Sequence, residues 1–292
     1  VAAEQLRFLT GLVRPVEGGA TERMRAAVLW ILRAQDATDD RGVSMGYFPC
    51  DLEARDGWMP SYPETTGYII PTLLAYAERH GMEEARARAL EMARWEITIQ
   101  MPSGAVQGGR VCPPEEQAPA TFNTGMVLQG WTAAYRETGD GAFLGAGRRA
   151  ADFLVADQEE DGHYRTHGTL VPDTRVKTYS SLCSWALYRF GEDTGEQAYK
   201  DAAKRNIEAT LGQQQENGWF ANNCLTHPKT PLLHTIGYTL QGVLEVGILS
   251  GEARFVEAAR RGAAPLLGLI SAKGFVPGRF RGDWTPAVRW SC

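Results

Sequence analysis

Apolar positions along this chain fall into two alternating kinds of helical stretch. One kind is charged and carries a single apolar stripe, as in Ala89, Leu90, Ala93 and Ile97. Such a stripe at helical spacing marks a helix with one face on a core. These stretches cover roughly 21–35, 83–101, 141–158, 197–214 and 252–270. The other kind holds few charges, as in Gly67-Tyr68-Ile69-Ile70-Pro71-Thr72-Leu73-Leu74. A helix apolar on most sides is buried. These stretches cover roughly 63–80, 121–138, 176–193 and 233–250. The pattern predicts charged outer helices alternating with buried inner ones.

The alternation is a repeat. Gly81, Gly139, Gly195 and Gly251 stand 58, 56 and 56 residues apart, each between an inner and an outer stretch. Glycine suits a helix C-terminus because it takes a positive φ without steric cost. Gln100, Gln158 and Gln214 keep the same register, each with a glycine four residues on: Gly104, Gly162 and Gly218. Gln35 starts this ladder without the glycine. Gly67, Gly125, Ser181 and Gly237 form a third ladder, near the start of each inner helix. Inner-to-outer turns are short. Outer-to-inner loops are long, at 36–60, 102–120, 159–175, 215–232 and 271–285. Long loops gathered on one face usually carry function.

The predicted fold is therefore all-α and built of repeated helical hairpins, and the alternation with long loops on one face resembles an (α/α)6-toroid-like barrel. Residues 1–20 are expected to form an N-terminal helix or arm and 21–292 a single toroid domain. The next inner ladder position would fall just beyond Cys292. The ring is thus expected to be incomplete at the C-terminus, and finished by a further segment or another chain.

Several segments resemble known families. Gln158-Glu159-Glu160-Asp161-Gly162-His163-Tyr164 and Gln214-Gln215-Glu216-Asn217-Gly218-Trp219-Phe220 resemble the Q-x-x-x-G-x-W repeat of squalene cyclases and prenyltransferases. The same glutamine-to-glycine-aromatic pattern resembles that of glycan-active toroids: glucuronyl C5-epimerases, unsaturated glucuronyl hydrolases and polysaccharide lyases. Trp58-Met59-Pro60-Ser61-Tyr62-Pro63-Glu64-Thr65-Thr66-Gly67-Tyr68 resembles a family of polysaccharide-cluster proteins with epimerase-like toroids. The resemblance spans residues 21–292 and implies the toroid architecture rather than one reaction.

Composition narrows the partners. Of 292 residues, 43% are hydrophobic and 22% charged, and the net charge is −5 with acids and bases mixed. A nucleic-acid or membrane-surface binder would need a basic face, so neither is expected. No apolar run is long enough to span a membrane. The opening Val1-Ala2-Ala3-Glu4 carries no leader signature. Five cysteines without a C-x-x-C pair argue against a disulfide framework and fit a cytoplasmic setting. Cys224 and His227 with other thiols lack firm ligand spacing, so no metal is expected, and no cofactor motif is present.

In a closed ring the inner-helix starts surround one depression under the long loops. Glu64, Phe122, Thr178 and His234 occupy one rung there; Thr65, Asn123, Tyr179 and Thr235 occupy the next. Unlike polar residues on one rung are expected of a site lining rather than of packing. Glu64 and His234 are the candidate bases, with Tyr179 and Tyr238 as candidate acids. Asn123, Arg110 and Arg175 can face a sugar carboxylate. Trp58, Tyr62, Tyr68 and Trp219 can stack on or bond to sugar rings. Each has an ordinary alternative: a helix-dipole acid, a hydrogen-bonded core histidine, surface arginines, and aromatics that anchor loops. The leading expectation is an enzyme that acts on a uronate-containing or anionic glycan by proton abstraction, as a lyase or C5-epimerase. The alternatives are a glycoside hydrolase using Glu64, a terpene-cyclase-like enzyme, and a non-catalytic glycan- or protein-binding toroid. Asp36-Ala37-Thr38-Asp39-Asp40 departs from a cyclase acid motif and is expected to be a helix-ending turn.

Overall fold

The computed structural model describes residues 19–48, 54–167, 176–224, 227–272 and 274–291. The expected arm over 1–20 lies almost wholly outside them, as does Arg175. The outer helices are α1 (Ala20–Asp36), α3 (Glu83–Thr98), α5 (Gly141–Asp157), α7 (Gln197–Leu211) and α9 (Ala253–Gly268). The inner helices are α2 (Pro63–His80), α4 (Thr121–Thr138), α6 (Ser181–Thr194) and α8 (Leu233–Ser250). Among the described residues no strand forms; isolated bridges such as Ser44 with Ser61 tie the loops. No described helix is long and apolar enough to cross a membrane.

Each inner helix ends on a left-handed glycine. Gly81, Gly139, Gly195 and Gly251 have φ between 64° and 73°, as the repeat predicts. Each inner helix then packs on its outer partner and on the next inner helix, in the series α2, α4, α6, α8. The third ladder explains how closely they approach. A Cβ on Gly67 would stand 2.6 Å from the Val127 backbone, and one on Gly125 would stand 2.7 Å from the Cys183 side chain. Ser181, the odd member, instead donates its hydroxyl to the Thr239 carbonyl at 3.2 Å. At Gly237 a Cβ would meet nothing within 4 Å, so the described series is open at α8.

The glutamine ladder is a clasp between repeats. Gln100, Gln158 and Gln214 lie just past the ends of α3, α5 and α7 rather than inside them, because their side chains reach forward. Each Nε2 donates to its loop glycine, at 2.9, 3.3 and 3.2 Å to Gly104, Gly162 and Gly218. Each also donates to the next outer helix, at 3.0, 2.9 and 2.8 Å to Ala146, Ala202 and Ala258. Each Oε1 accepts from an arginine of that helix: Arg149, Arg205 and Arg261. The loop glycines carry φ of 87°, 85° and 83°. In the first unit Arg41 takes the glycine's place at φ 80°, and Gln35 donates to its carbonyl and to that of Arg88.

The third inner helix departs from its predicted start at 176. Its first turn, Thr178–Ser180, is a 3-10 turn, drawn tight where the Thr178 hydroxyl donates to the Ala221 carbonyl at 3.0 Å. Asp157 ties the preceding loop to the start of α4, accepting from the Thr121 hydroxyl and facing His167 Nδ1, both at 2.6 Å. Asp36 ends α1 as expected, and Asp40 takes the Ser61 hydroxyl at 2.6 Å.

Candidate active site

Glu64 sits in the first turn of α2, behind Pro63 at the helix start. Tyr62 precedes the helix in extended conformation, with φ −125° and ψ 110°. Its phenol faces the Glu64 carboxyl on one side and the Asn123 amide of α4 on the other. Burial pushes the Glu64 carboxyl up to about 7, against the hydrogen bond from Tyr62, which pulls it down. No second carboxylate contributes to that shift. Burial and then the neighbouring Glu64 push the Tyr62 phenol up to about 12.

Asn123 is buried, and its Nδ2 has no hydrogen-bond partner of good geometry. An orphaned buried donor costs stability and calls for an explanation. Here it stands against the Tyr62 phenol, which in turn bonds the raised Glu64 carboxyl.

Two more tyrosines close the ring of phenols. Tyr68 donates to Tyr238, and burial raises both above their ordinary value, with Glu64 adding to each. Cys183 lies close by, and burial followed by Glu64 raises its thiol, so it stays protonated. Below, the concave face of the barrel holds a cavity of about 590 Å³, lined among others by Tyr68, Gln129, Trp185, Tyr238 and Gln241. None of its lining residues is charged.

His234 opens α8 at the rim, its ring edge-on to Tyr238 with centroids 5.6 Å apart. Loss of hydration and then Arg279 lower its affinity for a proton, which leaves it neutral near pH 7. Arg279 donates to the Thr230 carbonyl at 2.7 Å. It lies in a loop outside the repeat register, so periodicity alone does not single it out.

The structure thus gathers Glu64, Tyr62, Asn123, Tyr68 and Tyr238 in one cluster, with His234 against Tyr238 at its edge. Other candidates stand elsewhere. Tyr179 is buried and packs edge-on to Phe122 at 5.3 Å, within the layer behind Tyr238. Trp219 is buried beneath Trp284, with centroids 5.0 Å apart, and anchors its loop. Trp58 lines a separate cleft beside α1. Arg110 is exposed, and Arg175 lies outside the described residues. Cys224 accepts the His227 backbone N–H at 2.8 Å. Among the described residues no group of three or more His, Cys, Asp or Glu side chains could hold a metal ion.

No family model matches the chain, and no curated protein is similar to it in sequence. Solved structures are similar in fold. An unsaturated glucuronyl hydrolase specific for heparin superposes with a TM-score of 0.67 at 18% identity, over 87% of this chain and 69% of that one. A sugar epimerase from a ruminal bacterium gives 0.64 at 13%, over 79% and 67%. A GH76 α-mannanase from Bacteroides thetaiotaomicron gives 0.62 at 12%, over 83% and 69%. At such identities the likeness establishes the fold alone: the chain is an all-helical (α/α) toroid.

Proposed function

We propose that this chain is a carbohydrate-active enzyme that acts on a uronate-containing glycan by proton transfer at C5, as a lyase or C5-epimerase. The observation that carries this reading is Glu64, a carboxyl held near pKa 7 beside an orphaned amide donor and three phenols. A base poised near the working pH is the most efficient.

In this reading Glu64 takes the C5 proton of a bound uronate. The electron pair moves onto the sugar carboxylate, and the Asn123 amide N–H, with Arg279 at the rim, stabilises the charge that forms there. A phenol, Tyr62 or Tyr238, is the acid. If it protonates C5 from the opposite face, the sugar is epimerised. If the C4–O bond breaks instead, the phenol protonates the leaving oxygen and a C4=C5 double bond remains. Both outcomes balance without a cofactor. The names of similar folds support a glycan substrate, among them a sugar epimerase and a polysaccharide lyase. Two-carboxylate glycoside hydrolysis fits less well, because among the described residues no second carboxylate adds to the shift of the Glu64 carboxyl.

The test is incubation with uronate-containing oligosaccharides in D₂O. Deuterium at C5, or the ultraviolet absorbance of an unsaturated uronate, is expected, and Glu64→Gln should abolish either. Release of a reducing end with neither signal would show hydrolysis and sink the proposal.

A further inference from the structure

A second cleft lies outside the depression, between the end of α1 and the loop that enters α2. It encloses about 290 Å³ and is lined among others by Asp39, Asp40, Arg55, Trp58 and Ser61. Trp58 is one wall. Its ring stands on two others, with centroids 4.9 Å from Trp30 and 4.9 Å from Tyr47. Trp30 and Tyr47 also meet edge-on at 5.9 Å. Gly57 makes the stack possible: it sits at φ 89°, and a Cβ there would stand 2.5 Å from the Tyr47 ring. The aromatic group is therefore fixed in place before any ligand arrives. Of the three rings only Trp58 lines the cleft, while Trp30 and Tyr47 support it from outside and are each 44% exposed. Apolar surface exposed as a contiguous patch, rather than scattered singly, marks an interaction site.

The polar side of the cleft fits hydroxyl groups. Arg55 pairs with Asp39 at 2.8 Å, and both are largely exposed, so each can exchange its partner for a sugar hydroxyl. Asp40 is fixed by the Ser61 hydroxyl and the Gly42 N–H. Two carboxylates against one guanidinium leave the lip negative, which disfavours a polyuronate and accepts hydroxyl donors. The extended backbone at Ser61 and Tyr62 sends successive side chains to opposite faces. Ser61 thus lines this cleft while Tyr62 turns to Glu64, and one strand of chain separates the two sites.

We propose that this cleft is a second saccharide subsite, in which a neutral pyranose stacks on Trp58 and its hydroxyls bind Asp39, Asp40 and Arg55. It rests on the glycan-directed reading of the Glu64 site for its substrate class, but on none of that site's chemistry.

The test is saturation-transfer NMR and tryptophan fluorescence on the full chain carrying Glu64→Gln. The probes are cellohexaose, mannohexaose and xylohexaose, with tetragalacturonate as the charged counterpart. At least one neutral hexaose should bind, and Trp58→Ala should weaken it by about tenfold, the scale of one lost aromatic contact. Because Trp58→Ala can disturb its loop, the exposed pair provides independent variants: Asp39→Ala and Arg55→Ala should each weaken binding severalfold with the melting temperature unchanged. Absence of binding by all three neutral probes would overturn the proposal. So would neutral binding indifferent to Arg55 and Asp39, or tetragalacturonate binding as tightly. Neutral binding without C5 chemistry in the unsubstituted chain would sink the proposed reaction and leave this subsite standing; C5 chemistry without neutral binding would do the reverse.

Discussion

The phenol of Tyr62 bonds to the carboxyl of Glu64 and holds it lower than burial alone would, at about 7. The two residues sit two positions apart across the start of α2, and the contact between them helps to set the pH at which Glu64 is a base. If Glu64 must be ionised to act, kcat/KM should rise as pH passes through about 7. Glu64→Gln should lower kcat by about 10² to 10⁴, the usual yield of general-base catalysis. Tyr62→Phe should move the acidic limb to higher pH, because it removes the contact that favours the carboxylate. A limb that stays in place in Tyr62→Phe would show that another group titrates there.

The same shift predicts a cost in stability. A carboxyl raised from 4.5 to about 7 in the folded chain opposes folding when it is ionised. The cost is absent below pH 4.5, accumulates between 4.5 and 7, and is complete above 7. It amounts to at most roughly 3 kcal/mol by linkage. Glu64→Gln should therefore melt with the parent at pH 4 and above it at pH 8. Denaturant midpoints at the two pH values check this. A gain at pH 4 as large as at pH 8 would assign it to packing rather than ionisation.

Asn123 should show the trade-off most directly. Its buried Nδ2 lacks a good partner, so Asn123→Leu removes an unsatisfied donor at nearly constant volume. The chain should gain up to about 1–3 kcal/mol. Turnover of a uronate substrate should fall by about 10² to 10³, the loss seen when one charge-stabilising donor is removed. Calorimetry and initial rates on one preparation suffice. Loss of both stability and activity would mean that the amide serves the fold.

The architecture was legible because the repeat is enforced by contacts that allow few substitutes. Left-handed turns favour glycine at Gly81 and its equivalents, and interhelical approach demands small residues at Gly67 and Gly125. The candidate site was legible in part for the same reason: register identified Glu64, Asn123 and His234 as starts of inner helices, and the Tyr62 phenol links the first two. Register says nothing about loops. Arg279 and the Trp30, Tyr47 and Trp58 stack depend on how long loops fold back. Trp219 and Trp58 look alike in sequence, yet Trp284 buries the first while the second keeps a face on a cleft. Side-chain burial at that scale is decided by residues far away along the chain.

The clasp offers a prediction in which the first repeat is repaired with the chain's own solution. In three units the glutamine Oε1 accepts from an arginine on the next outer helix, as in Gln158 with Arg205 at 3.1 Å. Register places Glu91 at that position in the first unit. Gln35 still donates to Arg41 and Arg88, yet its Oε1 is buried without a partner, and so is Glu91 Oε2. By register, the first unit sets an acceptor against an acceptor where the other units pair an acceptor with a donor. Glu91→Arg should supply the missing donor and remove one orphaned acceptor at once, raising stability by about 1–3 kcal/mol. Gln35→Ala should cost stability in the parent, and more in the Glu91→Arg background, where the clasp is complete. The difference, read as a double-mutant cycle in denaturant melts, should be a coupling of about 0.5–3 kcal/mol. A coupling of zero would show that residue 91 does not reach Gln35, and that the arginines of the later repeats stabilise the chain by some route other than the glutamine.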